Sequence, residues 1–291
     1  MMRAAQARGH GVFVCEQRSL HWDKHRVAAR ATRLSLAADD ADWYRAHETL
    51  ERPLSEFDAV LMRKDPPFDM EYVASTWLLG EAERKGAKVV NSPRAIRDHN
   101  EKFAIAEFAE FTVPSLVGRA MEDLQGFVDE HRKVVLKRLD GMGGAGIFVV
   151  RHDDPNRNVI VETISELGTR SVMAQRFIPE IAQGDKRVIL IEGKIVPHCL
   201  ARIPKPGESR GNLAAGARGE AQPVSPRHRE IAAAIGPVLA ARGLLFVGLD
   251  VIGDWLTEMN VTSPTGFREI QDQIGFDVAG AFIGALESSI A

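Results

Sequence analysis

The sequence predicts a mixed fold in which an α/β region is followed by an α+β region. Between residues 12 and 99, apolar strand patterns alternate with helical patterns, as in a parallel α/β layer. From residue 100 onward, short strands joined by glycine turns dominate, with helices between them. The length of 291 residues suits about two domains. We therefore expect a domain boundary near residue 100.

The first region begins with the last turns of a helix, closed by glycine within residues 1–11. No element is assigned to the polar stretch, rich in Arg, Ala and Asp, that follows the first strand. The other elements expected here are strands at 12–15, 57–63 and 88–91, a helix at 70–85, and a helix begun by Ser92 and Pro93.

A helix that feeds a strand, as this first helix does, normally follows another strand in a βαβ unit. That earlier strand is missing from the sequence, so we expect either an upstream start or a truncated chain. Intact-mass measurement of the protein from its natural host distinguishes the two.

The second region contains glycine-linked strands with two helices between them. A polar loop is expected at 202–220. The elements expected here are strands at 133–139, 147–150, 172–177, 187–191 and 194–200, helices at 123–131 and 227–242, a hairpin at 246–261, and a final helix from about 275.

Composition excludes several classes of protein. Hydrophobic residues make up 45% of the chain and charged residues 26%, as in globular proteins. A formal net charge of -3 does not suit a protein that coats nucleic acid or a membrane surface. The two cysteines, Cys15 and Cys199, cannot build a disulfide framework, and such sparse usage indicates a reducing, cytoplasmic setting. The longest apolar stretch falls short of the ~20 residues that a membrane span needs.

Glycines cluster in one turn, where four of them fall within residues 141–146. The spacing satisfies a dinucleotide fingerprint, but strand-forming residues follow it where that fingerprint requires a helix, which argues against a nicotinamide-dependent oxidoreductase. Two interpretations remain, a plain tight hairpin and a flap whose backbone N–H groups approach phosphate oxygens. Lys137, on the entering strand, favours the flap.

Oxygen-bearing side chains face one another on the hairpin at 246–261. A turn near Asp254 places Asp250 opposite Glu258, and Asn260 lies on the same face as Glu258. Opposed carboxylates repel unless a cation lies between them, so the hairpin predicts a Mg²⁺ site. The alternative is a surface hairpin with ordinary acids, which the apolar flanking residues disfavour.

The polar loop at 202–220 is rich in glycine and basic residues. It is either a solvated connection or a mobile cover for an anionic reaction centre. His21 and His25 are interpreted as surface residues, because no third metal ligand accompanies them. Lys102 by itself is typical of a solvated helix lysine.

These features, in this order, resemble those of ATP-grasp carboxylate-amine ligases. The strings at 61–69, 139–144, 184–187, 210–216 and 257–264 are similar to those of the bacterial glutathione synthetases, and the similarity extends over essentially the whole chain. The resemblance implies an N-terminal substrate-binding domain at 1–99, a central ATP-grasp lobe with the flap at 100–176, and a C-terminal lobe with the metal site at 177–291.

Residue by residue, the resemblance implies these roles. ATP is expected to contact Lys102, Lys137, Gly141, Gly143, Gly144, Gln175, Arg176, Phe177, Ile178 and Asp185. The metal ligands are expected to be Asp250, Glu258 and Asn260. The residues facing the γ-phosphate and reacting carboxylate are expected to be Arg187, Arg202, Arg210 and Asn212. The peptide substrate is expected to contact Arg63, Ser263 and Thr265.

The implied reaction joins γ-glutamylcysteine to glycine through an acyl phosphate, with ATP as co-substrate, Mg²⁺ or alternatively Mn²⁺ as cofactor, and a homotetramer as assembly. Two alternatives stay open, a ligase for another acid and amine, and an inactive paralogue that only binds nucleotide. The chain departs from the family's pattern at Arg138, where relatives resemble Pro, and at Ala217 and Gly266, where they resemble Gly and Cys.

Overall fold

The computed structural model of the chain describes residues 1–213 and 216–290. Ala214 and Ala215, in the predicted basic loop, and Ala291, at the end of the predicted C-terminal lobe, lie outside the described residues. No helix in the described ranges combines the length and the apolar character needed to cross a bilayer.

About as many described residues lie in helices as in strands. The predicted mixed α/β class is therefore confirmed. The helices are α1 (Met2–Ala7), α2 (Met70–Arg84), α3 (Pro93–Asp98), α4 (Met121–His131), α5 (Arg157–Ile164), α6 (Pro226–Ala241), α7 (Phe267–Ile274) and α8 (Val278–Ile290). The strands are β1 (Val12–Val14), β2 (His21–Asp23), β3 (Arg26–Leu36), β4 (Tyr44–Pro53), β5 (Val60–Leu61), β6 (Val89–Val90), β7 (Ser115–Gly118), β8 (Lys133–Arg138), β9 (Ile147–Arg151), β10 (Val172–Arg176), β11 (Asp185–Ile191), β12 (Lys194–Ile203), β13 (Arg218–Pro223), β14 (Phe246–Ile252) and β15 (Trp255–Asn260).

The polar stretch after β1, to which the sequence assigned no element, forms an antiparallel sheet. Strand β2 pairs with residues 26–28 of β3 and β1 with residues 32–34, while β4 pairs with residues 28–36 of the same strand. The buried residues of β3 include three alanines, Ala28, Ala29 and Ala31, while β4 is exposed from Tyr44 to Glu51. Small buried side chains and a solvated strand give no apolar alternation, which is why the pattern missed them.

Parallel pairing in the N-terminal region is found, among the described residues, between β5 and β6. Helix α2 connects them and begins at Asp69, whose side chain accepts a hydrogen bond from the Tyr72 N–H. Proline in the first turn begins α3, as predicted. These elements confirm the expected strand, helix, strand and helix order.

Two antiparallel sheets make up the rest of the described chain. The four-stranded sheet has the order β7-β10-β8-β9, and helices α4 and α5 pack on it through Leu124, Val128 and Val161. The five-stranded sheet has the order β13-β12-β11-β14-β15. Its two faces are both covered, since Val188 and Leu190 pack with α6, and Ile189 and Ile191 pack with α8.

The predicted hairpin at 246–261 forms with the expected register. Asp250 lies opposite Glu258, and Gly248 lies opposite Asn260, in the pairing of β14 with β15. Helices α5 and α7 were not predicted. Each has eight residues, too few turns for the apolar period to stand out from the flanking loops.

Candidate active site

One cavity lies between the four-stranded and five-stranded sheets, beneath the glycine turn. Fourteen of the residues proposed for the site line it: Lys102, Lys137, Gly141, Gly143, Gly144, Gln175, Arg176, Phe177, Ile178, Asp185, Arg210, Asn212, Asp250 and Glu258. The sheets supply its floor and walls, so regular strand geometry fixes most of these side chains.

Two buried lysines flank Glu258. Lys137 projects from β8 and places Nζ 3.3 Å from Glu258 Oε1, and Lys102 Nζ lies 3.8 Å from the same oxygen. Each lysine is only 4% exposed, so Lys102 is not the solvated helix lysine that its sequence position alone would indicate. Burial raises the pKa of Glu258, but the two ammonium groups outweigh burial and hold that pKa below its usual value.

Guanidinium groups surround Asp250, which is 4% exposed. Arg187 donates from Nε to Oδ1 at 2.6 Å and from Nη2 to Oδ2 at 3.2 Å. Arg202 places Nη2 2.9 Å from Asp250 Oδ2 and also pairs with Asp185. Burial opposes ionisation of Asp250, yet the two guanidiniums bring its pKa well below the usual range. The interpretation of Asp250 as a surface acid is therefore wrong.

Two buried atoms beside this cluster have no hydrogen-bond partner among the described residues. They are Asp185 Oδ1 and Arg202 Nε. Burial raises the pKa of Asp185 to about 7, although Arg202 opposes the shift. Buried polar atoms without partners are costly, so these two are available to a bound polar molecule.

The glycine turn takes the backbone conformation that its composition predicts. Gly143, Gly144 and Gly146 have φ values of +64°, +83° and +67°, which L-residues rarely adopt. Lys102 Nζ donates to the Gly141 carbonyl at 2.7 Å, so the lysine beneath the turn also holds it.

The basic loop meets the glycine turn over the cavity. A Cβ added to Gly144 would lie 2.7 Å from Asn212 Oδ1 and 3.5 Å from Arg210 Cδ. Arg210 also donates from Nε to Glu208 at 2.8 Å. The two segments proposed to cover the reaction centre therefore contact each other, and a side chain at residue 144 would disturb that contact.

The end of β10 supplies one wall of the cavity. Gln175 is buried and donates from Nε2 to Ser115 Oγ at 3.2 Å, while Phe177 lies beneath Lys133, whose Nζ is 3.5 Å from the ring centroid. Arg176, Phe177 and Ile178 follow in extended backbone. The N–H groups of Arg176 and Phe177 donate to the Pro114 and Lys133 carbonyls, both at 3.0 Å, so other backbone groups of this segment would read the edge of a planar base.

The remaining proposed residues do not line this cavity. Arg187 and Arg202 pair with Asp250, which does line it, and Asn260 donates from Nδ2 to the Gly248 carbonyl at 3.2 Å. Arg63 and Ser263 lie together at the carboxyl end of β5, where Arg63 donates to the Pro264 carbonyl at 2.8 Å and Ser263 bonds to Asp65. Thr265 is exposed and makes no side-chain hydrogen bond among the described residues.

Glu101 is a further, partly buried acidic residue that the sequence analysis did not single out, although it directly precedes Lys102. One oxygen of this carboxylate accepts hydrogen bonds from the Val261 N–H, the Thr262 N–H and the Thr262 hydroxyl, at 2.9, 2.9 and 2.7 Å. Burial raises its pKa. Val135, two residues before Lys137 on β8, also lines the cavity, as strand periodicity would have indicated.

Family models match both parts of the chain. The prokaryotic glutathione synthetase N-terminal domain matches residues 1–97, and the ATP-grasp domain of the same family matches residues 101–275. The chain belongs to the prokaryotic glutathione synthetase family. Membership makes it an ATP-dependent ligase.

Relatives in the prokaryotic glutathione synthetase family are similar over the whole chain. The glutathione synthetase of Nitrosomonas europaea is 58% identical over 294 aligned positions, covering 100% of this chain and 92% of the relative. The glutathione synthetase of Pseudomonas aeruginosa is 51% identical, with 100% and 92% of the two chains covered.

Solved ATP-grasp structures share the fold at lower identity. D-cycloserine synthetase DcsG has a TM-score of 0.65 at 17% identity, covering 82% of this chain and 86% of its own. The ATP-grasp ligase PsnB, solved with a minimal precursor, Mg and ADP, has a TM-score of 0.61 at 20% identity, covering 99% and 92%.

The residues on β14 and β15 fit a hard divalent cation. Asp250, Glu258 and Asn260 offer carboxylate and amide oxygens, the donors that Mg²⁺ takes in proteins. The described residues contain no group of three His, Cys, Asp or Glu side chains placed to hold a metal. A cation here would therefore use two carboxylates, an amide and oxygens of the nucleotide.

Proposed function

We propose that the chain catalyses ATP-dependent ligation of γ-glutamylcysteine to glycine, giving glutathione, ADP and phosphate. The observation that carries this proposal is the convergence of Lys102, Lys137, the glycine turn and the opposed pair Asp250 and Glu258 in one cavity. The family membership and the names of its full-length relatives supply the substrates.

The residues address a specific chemical difficulty, because a carboxylate is a poor electrophile. Transfer of the γ-phosphoryl group of ATP to the terminal carboxylate of γ-glutamylcysteine gives an acyl phosphate, and the amine of glycine then displaces phosphate. Both steps build negative charge on oxygen. Lys102, Lys137 and the backbone N–H groups of the glycine turn hold the phosphates and offset that charge.

The arginines contact the γ-phosphate and the reacting carboxylate through those N–H donors that are not already bonded to Asp250 or Asp185. A guanidinium has five N–H donors, and Arg187 spends two of them on Asp250. Arg210 and Asn212, on the basic loop, line the cavity and face the γ-phosphate and the reacting carboxylate. Arg187 and Arg202 do not line it, and their remaining donors reach the same groups from beside Asp250. The unpaired oxygen of Asp185 accepts a hydrogen bond from the ribose.

Asp250, Glu258 and Asn260 hold Mg²⁺, or Mn²⁺ as an alternative. When bound, the cation neutralises phosphate charge and aligns the phosphoryl group for transfer. The lysines and arginines beside the two carboxylates lower the pKa values of Asp250 and Glu258 and so keep both groups ionised, the form that binds a metal ion.

Arg63, Ser263 and Thr265 hold the peptide substrate. Burial lowers the pKa of Arg63 to about 10, so its guanidinium stays charged at neutral pH, and its buried Nη1 has no partner among the described residues. A substrate carboxylate would satisfy that nitrogen.

We further propose that the chain divides into domains at 1–99, 100–176 and 177–291, that it assembles as a homotetramer, and that it works in the cytoplasm. The ranges of the family models support the boundary near residue 100, and the family resemblance supports the division at 176 and the tetramer. The two free thiols support the cytoplasm. Light scattering after size exclusion measures the assembly.

The decisive experiment measures ADP release with γ-glutamylcysteine, glycine and MgATP, beside a panel of other acids and amines. The proposal expects release that requires both named substrates. Release with a different pair would identify another carboxylate-amine ligase. ATP binding without release on any pair would identify an inactive nucleotide-binding module.

A further inference from the structure

Four charged residues form a cluster at the root of the glycine turn; we call it the flap-root cluster, Arg138, Asp140, Glu166 and Arg170. Arg138 donates from Nε and Nη2 to the two carboxylate oxygens of Asp140, both at 3.0 Å. Arg170 Nη1 donates to Asp140 Oδ2 at 2.8 Å, and Arg170 Nε forms an ion pair with Glu166 at 2.8 Å without hydrogen-bond geometry. Arg138 Nη1 closes the cluster at 3.8 Å from Glu166.

Both ends of the turn rest on this cluster. Asp140 directly precedes Gly141, and a Cβ added to Gly146 would lie 3.4 Å from Arg138 Cδ. Backbone contacts hold the entering end as well. The Asp140 carbonyl accepts from the Phe68 N–H at 3.4 Å, and the Leu139 carbonyl accepts from Asn100 Nδ2 at 3.0 Å. The orientation of the turn therefore depends on where the Asp140 side chain is held.

The geometry of the cluster distinguishes it from isolated surface ion pairs. Single pairs between partly exposed charges contribute little, but a bidentate arginine within a closed network has a fixed geometry. The side chain of Asp140 is 29% exposed and forms ion pairs with two arginines, Arg138 and Arg170. The guanidinium of Arg138 holds the pKa of Asp140 below its usual value.

We propose that the flap-root cluster positions the glycine turn over the nucleotide, and that Asp140 is its central positioning residue. This inference rests on the proposed ATP site. Without the cluster, the turn adopts several orientations. It must then become ordered before its backbone N–H groups reach the phosphates, and the free-energy cost of this ordering lowers the affinity for ATP. Arg63 and Ser263, proposed for the peptide substrate, bond to Pro264 and Asp65 rather than to the cluster, so we expect the other two substrates to bind with little dependence on it.

The same hairpin provides a matched control at its far end. Arg151 donates from Nε and Nη2 to both oxygens of Asp153, at 2.9 and 2.8 Å, with the same spacing in sequence as the pair of Arg138 and Asp140. Among the residues that the structure describes, Asp153 does not line the cavity and has no hydrogen bond or ion pair to the glycine turn. Asp140→Asn and Asp153→Asn therefore remove the same charge from the same kind of pair.

Steady-state kinetics and hydrogen–deuterium exchange test the proposal in the full chain. We expect Asp140→Asn to raise KM for ATP about 5- to 20-fold and to leave KM for both other substrates within about twofold, while Asp153→Asn changes none of them. We also expect amides of residues 141–146 to exchange faster in Asp140→Asn, and not in Asp153→Asn, before nucleotide is added.

Arg170→Gln is a second test of the same proposal, because it removes the ion pair of Arg170 with Asp140 and leaves the residues of β8 unchanged. The same rise in KM for ATP is expected. Equal KM values for ATP in Asp140→Asn, Asp153→Asn and wild type, with unchanged exchange at the turn, overturn the positioning role. Absence of ATP-dependent ligation by the wild type overturns the proposed function instead, and the exchange comparison still decides whether the cluster orders the turn.

Discussion

At the scale of single residues, the site is a balance of buried charges. Four cations, Lys102, Lys137, Arg187 and Arg202, face three carboxylates, Asp185, Asp250 and Glu258. Removing one partner from such a group leaves an uncompensated buried charge, which costs about 3–5 kcal/mol. These residues therefore stabilise the fold as well as the reaction, and Arg210, on the exposed loop, separates the two roles better.

Arg210→Ala is expected to reduce kcat about 100-fold at saturating substrates, because a donor aimed at developing negative charge is lost. Arg218→Ala is the control, since Arg218 belongs to the segment after the same loop but does not line the cavity. Thermal unfolding of both variants should match the wild type. Near-wild-type turnover in Arg210→Ala would remove this residue from the site.

Sequence reasoning found the charged residues of the site more readily than their pairings. Lys137 and Glu258 lie on strands whose turns and periodicity are visible in the sequence. The contacts of Arg187 and Arg202 with Asp250 depend on the register of β11 with β14, and these two strands are separated along the chain by β12, β13 and α6. Nothing local to these residues encodes that register.

At the scale of elements, the contact between the glycine turn and the basic loop requires a residue without a side chain at position 144. Gly143→Ala introduces strain at positive φ and meets no atom within 4 Å, whereas Gly144→Ala adds a clash with Asn212 at 2.7 Å to a similar strain. We expect KM for ATP to rise about 10-fold in Gly144→Ala and about threefold in Gly143→Ala. Equal effects in steady-state assays would show that contact with Asn212 is unimportant.

Helices α1 and α8 are joined through Glu287, which pairs with Arg8 and lies 2.7 Å from His10 Nε2. Hydrogen bonds from Arg8 and then His10 lower the pKa of Glu287 to about 2. The unfolded chain therefore takes up this proton first, and the contribution of Glu287 to stability, present above its ordinary pKa, is lost as pH falls from 4.5 towards 2.

The Tm difference between wild type and Glu287→Gln is thus expected to shrink as pH falls from about 5 to about 3, measured by circular dichroism. Glu110→Gln serves as the control, because Glu110 is exposed and has no ion pair in the described ranges. A Tm difference that stays constant over this pH range would contradict the role of Glu287.

Elements with a buried apolar face were predictable, and elements without one were not. Strands β8, β10, β11 and β14 carry Val, Ile and Leu in the core, and each was expected close to its observed bounds. The long hairpin of β3 and β4 buries mostly alanine on one strand and almost nothing on the other. Its stability comes from backbone pairing, which leaves little trace in residue type.

At the scale of the whole molecule, Asn91 fastens the N-terminal region to the five-stranded sheet. Its Nδ2 donates to the carbonyls of Phe246 and Val261 at 2.7 and 3.0 Å, and its Oδ1 accepts from the Phe246 N–H at 2.9 Å. The side chain is 6% exposed. One amide therefore satisfies three backbone groups buried between two parts of the chain.

Asn91→Ala is expected to lower the free energy of unfolding by about 3 kcal/mol or more, because three buried backbone groups lose their partner. The exposed Asn158→Ala should stay within about 0.5 kcal/mol of wild type. Urea unfolding followed by tryptophan fluorescence measures both. A loss below about 1 kcal/mol in Asn91→Ala would mean that other groups replace the amide.

The architecture as a whole followed from the sequence where family resemblance and periodicity agreed. The resemblance implied two ATP-grasp lobes and the residues that contact ATP, and the structure adds that these residues line a cavity between two sheets. The link made by Asn91 was not, since an asparagine at the end of a strand is typical of a turn.

The placement of the cavity between two sheets also has a kinetic consequence. Its walls come from residues as far apart in sequence as Lys102 and Glu258, so they meet only after long loops have closed. Such non-local contacts form slowly, after helices and hairpins. A refolding chain should therefore regain its secondary structure before its affinity for nucleotide, and ATP should stabilise the finished fold without guiding the earlier steps.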